Sequence, residues 1–113
     1  MKKVVFISLP MSGIEDEQVM ENIERAKHAD LSITQSDILD ISFVTNIKGE
    51  EPPEYLAFDK KCIWYLGRAL QNLAKCDEAF FWLGWRNARG CTIEHEVCTM
   101  YHIPIISVEK HKG

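Results

Sequence analysis

The segment Lys2–Gly13, KKVVFISLPMSG, gives the clearest indication of the fold. Val4–Ile7 is an uninterrupted apolar run, which is typical of a strand buried on both faces. A short turn, LPMSG, follows, and apolar residues then recur at helical spacing through about His28. Ser12 and Glu15 fit the S-x-x-E pattern of a capping box at the start of that helix. The segment therefore predicts a strand, a tight turn and a helix.

The same alternation continues to the end of the chain. The sequence predicts further strands at Ile38–Val44, Ala79–Leu83 and Pro104–Val108, and helices over about Asp59–Lys75 and about Cys91–Tyr101. The residues expected to face the core are Ile63, Leu66, Leu70 and Leu73 in the first of these helices, and Ile93, Val97 and Met100 or Tyr101 in the second. The order β-α-β-α-β-α-β predicts one α/β domain over residues 1–113, with a parallel sheet and helices on both faces.

Composition excludes several classes of protein. The chain has 113 residues, of which 46% are hydrophobic, and a formal net charge of −4. That charge argues against a nucleic-acid binder, which needs a basic face. The first apolar run is too short for a signal peptide or a membrane span. No CxxC pair occurs among the four cysteines. We therefore expect a cytoplasmic protein with reduced thiols and no membrane partner.

Two loops of the predicted sheet are expected to form a binding crevice. In parallel α/β sheets, ligands bind outside the carboxyl ends of the strands, where the winding direction reverses. The loops LPMSG and GWRNARG both lie at such ends, and both lead into helix N-termini, which favour anions and polar groups. We expect the crevice to be lined by Ser12, Trp85, Asn87, Arg89 and the head of the last helix.

The stretch Arg89–Glu96, RGCTIEHE, holds two carboxylates and an imidazole. Glu94 has two interpretations: a carboxylate favoured by the helix dipole, or a nucleophile or acid/base group beside a bound substrate. Glu96 lies roughly 200° further around the helix, so both carboxylates cannot face the crevice.

Other side chains near this stretch also have two interpretations. His95, Cys98 and His102 share one helical face, and a surface or interface stripe is favoured over a zinc site because no fourth ligand is evident. Cys91 is expected to be a small buried residue. Trp85 either stacks on a base or sugar or covers the edge of the core.

Three motifs resemble the nucleoside 2-deoxyribosyltransferase superfamily, and in particular a branch of short bacterial and phage proteins. The family pattern begins with (S/G)xPM(S/T)G, here SLPMSG at Ser8–Gly13. Its middle helix ends in AD or CD, here LAKCDEAFF at Leu73–Phe81. It closes with GWxxARGCxxEHExA, here GWRNARGCTIEHEVC at Gly84–Cys98. The resemblance spans almost the whole chain.

The resemblance implies a three-layer, flavodoxin-like (Rossmann-like) fold with four to five parallel strands. It implies N-glycosidic bond cleavage or (deoxy)ribosyl transfer on a nucleoside or nucleotide, with Glu94 as the nucleophile that attacks the anomeric carbon. It also implies a homo-oligomer. The reaction that it implies needs no cofactor and no metal. The residues then expected to contact the ligand are Ser8, Pro10, Met11, Ser12, Gly13, Tyr65, Gly84, Trp85, Asn87, Arg89 and Gly90.

The chain departs from the family's catalytic pattern at two positions. Ala69 stands where the transferases carry an aspartate, and Ala88 stands where they carry an acidic residue or a serine. Tyr65, Asn87 or Arg89 are the substitutes that the sequence offers. Two further hypotheses stay open beside the enzyme: a protein that binds a nucleotide-derived ligand without turnover, and an oligomeric scaffold. The segment Asn46–Tyr55 is expected to serve as a lid or an interface arm.

Overall fold

The computed structural model describes residues 2–11, 13–34, 40–45 and 51–108. Its strands are β1 (Lys2–Ser8), β2 (Asp40–Val44), β3 (Glu78–Phe81) and β4 (Ile105–Ser107). Its helices are α1 (Asp16–Thr34), α2 (Phe58–Leu73) and α3 (Arg89–Met100), and a single 3₁₀ turn, Trp85–Asn87, precedes α3. Strands and helices alternate along the chain as the sequence predicts.

The four strands form one parallel sheet in the order β2-β1-β3-β4. Val5 lies opposite Phe43 on one side and Glu78 on the other, so β1 is a central strand. This order matches that of a flavodoxin-like sheet, whose winding direction reverses between β1 and β3. The prediction of an α/β fold with a parallel sheet is therefore confirmed, and the reversal point lies at Ser8 and Phe81.

The sheet has an apolar core on each face, because alternate residues of a strand point to opposite sides. On one face α1 packs against β1 and β3, and the largest buried side chains there are Ile7 and Phe80. On the other face α2 and α3 pack around Phe6 and Phe81. The run Glu78–Phe81 is buried throughout, which is the pattern of a strand covered by helices on both faces.

Several predicted boundaries differ from the structure. Helix α1 extends to Thr34, beyond His28, and begins at Asp16, too late for Ser12 to act as its cap residue. Ser12 itself, Ile38 and Asn46–Glu50 lie outside the described residues. Strand β3 ends at Phe81 because the chain turns toward the 3₁₀ segment after Trp82. The described part of the long loop, residues 51–57, precedes α2 directly.

The predicted core face of α3 is wrong except at Val97, which is half-buried against the core. Ile93, Met100 and Tyr101 are exposed, whereas the buried side chains of this helix are Cys91, Glu94 and Cys98. The prediction assumed that the strongest apolar residues point inward. The helix instead begins at Arg89, directly after the 3₁₀ turn, and this junction rotates the cysteines and Glu94 toward the sheet. Glu94 therefore lies in the second turn of α3.

The predicted core face of α2 is correct only in its second half. Leu73 is 1% exposed and Leu66 and Leu70 are half-buried, but Ile63 is 60% exposed. Ala69, which the pattern did not assign to the core, is fully buried. The reason is that Ala69 and Leu73 form the face of α2 that packs on the sheet. Ile63 lies to one side of this face.

A cluster of charged side chains lies at the amino-terminal edge of the sheet, opposite the predicted crevice. Asp30 of α1 is fully buried, and Lys3 of β1 forms an ion pair with Glu78 of β3. Burial and the charge of Glu78 raise the pKa of Asp30 to about 6, while Lys3 acts to lower it. Since the ordinary pKa is 3.8, the folded protein holds a proton that the unfolded chain has already released between these two pH values.

The variant Asp30→Asn is expected to change how stability depends on pH. A raised carboxyl pKa stabilises the folded state at low pH, and this contribution is lost as pH rises from 3.8 toward about 6. The wild-type free energy of unfolding should therefore fall relative to that of Asp30→Asn by about 3 kcal/mol across this window. Urea unfolding at a series of pH values measures the difference. Asp59→Asn, at an exposed carboxyl in α2, is the control, and identical pH profiles for the two variants would contradict the assignment.

Candidate functional site at the winding reversal

Glu94 and Ser8 form the centre of the site. Ser8 ends β1 and is 2% exposed, and Glu94 of α3 is 7% exposed. The Ser8 hydroxyl Oγ lies 2.6 Å from Glu94 Oε1, in hydrogen-bonding contact across 86 positions of the chain. This contact joins the carboxyl end of a central strand to the last helix at the winding reversal, the place where ligands bind in such sheets.

The surroundings of Glu94 bring its titration close to neutral pH. Burial raises the pKa of this carboxyl group to about 7, and the hydrogen bond from Ser8 acts in the opposite direction. The charged and neutral forms are therefore both populated near pH 7. A carboxyl group with this property can serve as a nucleophile when ionised or as an acid when protonated.

Two buried thiols lie on the same face of α3 as Glu94. Cys91 precedes it by one turn and Cys98 follows it by one turn, and both are buried. Burial raises the pKa of each thiol to about 11, and the nearby charge of Glu94 adds to the effect. These side chains are therefore neutral at pH 7 and give Glu94 an apolar, polarisable wall. The prediction that Cys91 is a small buried residue is confirmed.

Trp85 packs at the edge of the core. Its ring stacks on the His95 ring, with centroids 4.2 Å apart and planes 10° apart, and Phe81 contacts both rings. Trp85 is only 7% exposed and belongs to the core cluster on the α2–α3 face. Of the two sequence interpretations, the structure shows the one in which Trp85 covers the core edge.

His95 and Cys98 do not form a surface stripe with His102, so that prediction is wrong. Cys98 is fully buried, whereas His102 is exposed and has a positive φ of 61°. The His95 ring is held by its aromatic neighbours. Its pKa is lowered by burial and by the charge of Arg86, with Glu96 acting in the opposite direction, so the neutral imidazole is favoured. Within the described ranges, no group of three His, Cys, Asp or Glu side chains is placed to hold a metal ion.

The two predicted crevice loops do meet. A Cβ atom built on Gly84 would lie 3.5 Å from Cγ of Pro10, and the Trp82 amide donates to the Ser8 carbonyl at 2.9 Å. Gly84 has a φ of +84°, a left-handed conformation that favours glycine at this turn. The β1–α1 and β3–α3 loops are thus adjacent at the carboxyl edge of the sheet, as the topology predicts.

The other predicted ligand residues are spread over these loops and α2. Arg89 and Asn87 are exposed at the start of α3, and Gly13 is exposed with a φ of +77°. Met11 packs against the α1-side core, and Gly90 lies in the first turn of α3. Tyr65 is 39% exposed on α2, where its ring meets Trp64 edge to face. Ser12 lies outside the described residues.

The two departures from the catalytic pattern have different surroundings. Ala69 is fully buried in the core cluster that also contains Trp85 and Cys91. Ala88 is the residue before α3 and is half-buried against the same cluster. The influences on the Glu94 pKa are burial and the Ser8 hydroxyl, and neither comes from a second carboxylate. Glu96 is exposed, in agreement with the helical geometry.

The pairing of Ser8 with Glu94 was the main feature that sequence reasoning missed. The sequence predicts ligand contact for Ser8 as part of SLPMSG and a position at a helix head for Glu94, but their spacing gives no reason to pair them. The parallel register supplies the link, because Ser8 lies opposite Phe81 and the chain then reaches α3 through one short turn. The sequence feature that could have indicated the pairing is the serine at the end of β1, because the topology places this strand end beside the β3–α3 connection.

Comparison with known proteins gave no family model, curated protein or solved structure that matches this chain. Among the described residues, no helix combines the length and the apolar character that a membrane crossing requires.

Substituting Ser8 by alanine is expected to raise the pKa of Glu94 above about 7. The hydroxyl currently lowers that pKa by hydrogen bonding to the charged form, and its loss leaves burial unopposed. A pH titration followed by carbon NMR on glutamate-labelled protein measures the change at Glu94. Ser42→Ala, at an exposed position on β2, serves as the matched control. A Glu94 titration that is identical in wild type and Ser8→Ala would refute the role given to Ser8.

Proposed function

We propose that this protein cleaves or transfers the N-glycosidic bond of a nucleoside or nucleotide, with Glu94 as the nucleophile. The observation that carries the proposal is the buried Ser8–Glu94 pair at the winding reversal of the sheet. A carboxyl group with a pKa of about 7, held by a hydroxyl donor at a ligand-binding edge, is suited to covalent catalysis. The motifs SLPMSG and GWRNARGCTIEHEVC supply the substrate class through their resemblance to the deoxyribosyltransferases.

The chemistry requires Glu94 in its ionised form. Ser8 donates to Oε1, so Oε2 is the atom that attacks the anomeric carbon. The carbon–nitrogen bond breaks, the base leaves with the bonding electron pair and takes a proton from water, and a glycosyl ester of Glu94 remains. Water or a second base then attacks the same carbon and releases the Glu94 carboxylate. Two displacements of this kind retain the configuration of the sugar.

The exposed polar groups at the start of α3 are suited to the rest of the substrate. Arg89 can form a two-pronged contact with a phosphate, and the free amides of the first helical turn favour the same charge. Asn87 and Gly13 lie on the two loops of the crevice and can bind the sugar hydroxyls. This proposal needs no cofactor or metal, and it assigns the protein to the cytoplasm, where nucleotides are abundant.

The second candidate is binding of a nucleotide-derived ligand without turnover. It is favoured by the surroundings of Glu94, where the pKa is set by burial and Ser8 and not by a second carboxylate. In addition, Ala69 lies inside the core, so the position that holds an aspartate in the transferases is occupied here by a methyl group. A base that must take its proton from water leaves more slowly than a base that receives it from a positioned carboxyl group.

One experiment separates the two candidates. Purified protein is incubated with a panel of ribo- and deoxyribonucleosides and their 5′-monophosphates, and free base is measured by chromatography while binding is measured by calorimetry. Free base that accumulates in proportion to protein supports the enzyme. Saturable binding with ligand recovered unaltered supports the binding protein. The absence of both base release and binding would contradict both candidates and leave the scaffold hypothesis.

A further inference from the structure

The thiol of Cys91 contacts the pair formed by Ser8 and Glu94. Cys91 lies three residues before Glu94 on α3, so the two side chains are neighbours on one face of the helix. All three side chains are buried. Burial raises the pKa of the Cys91 thiol to about 11, the hydrogen bond with the Ser8 hydroxyl acts in the opposite direction, and the charge of Glu94 adds to the rise. Ser8 therefore contacts both other members of a buried cluster.

The backbone of Ser8 is fixed by the sheet. Ser8 lies opposite Phe81 in the parallel register, and its carbonyl accepts the Trp82 amide at 2.9 Å. The freedom that remains is rotation of the side chain and of its hydroxyl proton. A hydroxyl has one proton to donate, and both a carboxylate and a sulfur are within its reach. The direction of that proton decides whether Glu94 Oε1 is held.

The protonation state of Cys91 settles this direction. With a pKa of about 11 the thiol is neutral at pH 7, so it donates a weak hydrogen bond that the Ser8 oxygen accepts. The Ser8 proton is then left for the carboxylate of Glu94, which is the stronger acceptor and lies 2.6 Å away. The cluster is a directed chain from thiol to hydroxyl to carboxylate, and each hydrogen bond polarises the next.

Cys98 is a natural comparison for Cys91. It lies four residues after Glu94 on the same face of α3, and it is fully buried. Burial raises its pKa to about 11, the charge of Glu94 adds to the rise and a backbone hydrogen bond acts against it. The Ser8 hydroxyl is not among these influences. Of the two thiols beside Glu94, Cys91 is the one that contacts Ser8.

We propose that Cys91 is a positioning residue, whose thiol holds the Ser8 hydroxyl so that it donates to Glu94 Oε1 and leaves Oε2 free to react. As a statement about the reaction, this inference rests on the proposed function. The hydrogen-bonded chain itself does not, because it exists without substrate. An alanine at position 91 would fill part of the same space but could not direct the hydroxyl.

Carbon NMR titration of Glu94 tests the chain in the free protein. Cys91→Ala should raise the midpoint of the Glu94 titration by about half a pH unit, because a hydroxyl without a fixed direction stabilises the carboxylate less. Cys91→Ser keeps a donor at the same position and should titrate like wild type. Cys98→Ala measures the loss of a buried thiol beside Glu94 while the contact with Ser8 is kept. An equal rise in both alanine variants, or a serine variant that titrates like Cys91→Ala, would overturn the proposal.

Combining Cys91→Ala with Ser8→Ala tests whether the thiol acts through the hydroxyl. If it does, Ser8→Ala already removes the effect, and the double variant should titrate as Ser8→Ala alone does. A further rise in the double variant, equal to the rise that Cys91→Ala causes in wild type, would show that the thiol acts on Glu94 directly and would exclude the positioning role. Amide spectra that match wild type away from the substituted residues confirm that the variants are folded.

The pH dependence of base release connects the chain to the reaction. Because ionised Glu94 is the nucleophile, kcat/KM should rise with pH through the Glu94 titration. In Cys91→Ala the midpoint of this rise should move upward by the same half pH unit, roughly, that NMR detects. A midpoint of kcat/KM that stays at its wild-type value while the NMR midpoint moves would overturn the role of Cys91 in the reaction. A wild type that releases no base would refute the proposed function, whereas the NMR titrations would still decide whether Cys91 directs Ser8.

Discussion

Glu94→Gln is expected to lower the rate of base release by about 10⁴-fold or more, because it removes the nucleophile of the reaction. Glutamine keeps the volume of the side chain and can still accept the hydrogen bond that Ser8 donates to Oε1. It cannot form the glycosyl ester, because an amide is a poor nucleophile. The initial rate of base formation, measured with the best substrate of the nucleoside panel, gives the ratio of the two proteins.

The fold and the binding of substrate should survive this substitution. Burial of Glu94 raises its pKa to about 7, so its charged form is the costly one and a neutral glutamine removes that cost. Glu94→Gln should therefore be at least as stable as wild type above pH 7, and calorimetry should still detect the ligand. Glu96→Gln, at an exposed carboxyl two residues further along α3, is the control and should keep full activity. Base release by Glu94→Gln at the wild-type rate would eliminate Glu94 as the nucleophile.

Phe80→Ala is expected to lower the free energy of unfolding by about 3–5 kcal/mol. Phe80 lies in β3, one of the two central strands, and is fully buried in the core that α1 covers. Removing its ring takes away apolar contacts and leaves a cavity that neighbouring strands cannot fill, because the parallel register holds them in place. Since small domains are stable by about 5–15 kcal/mol in total, the variant should be close to unfolding. Urea denaturation followed by circular dichroism measures the loss.

Phe58 provides the matched control for Phe80. It is the same residue type at the start of α2, but it is 78% exposed. Phe58→Ala should change the free energy of unfolding by less than about 0.5 kcal/mol, because little apolar surface is buried there. Similar losses for both variants would show that the described core on the α1 face does not carry the stability assigned to it.

The sequence predicted the architecture because strong local patterns specified it. The unbroken run Val4–Ile7 and the buried strand at Ala79–Phe81 have no polar face, and such strands occur in sheets covered on both sides. The segments between these strands have apolar residues at helical spacing. Short connections between the strands and helices exclude most other topologies. The same topology predicted that the loops after β1 and β3 would meet, and the approach of Pro10 to Gly84 confirms it.

The buried face of a helix was less predictable where the most apolar side chains do not face the core. In α3 the sequence pattern favoured Ile93 and Met100 as core residues, but the structure buries Glu94 and two cysteines in their place. Hydrophobic periodicity assumes that the core selects the most apolar side chains. A buried carboxyl group with a serine partner breaks that assumption, and such exceptions occur mainly where a protein carries out its function.

The sequence by itself determined the order of strands and helices, the parallel sheet, the edge at which the loops after β1 and β3 meet and the separation of Glu94 from Glu96. Each of these follows from local periodicity or from the fixed geometry of a helix. Only the tertiary structure decided that Ser8 contacts Glu94, that Ala69 belongs to the core and that Ile63 of α2 stays exposed. Those features depend on the rotation of each helix about its own axis, which is set when distant segments pack together.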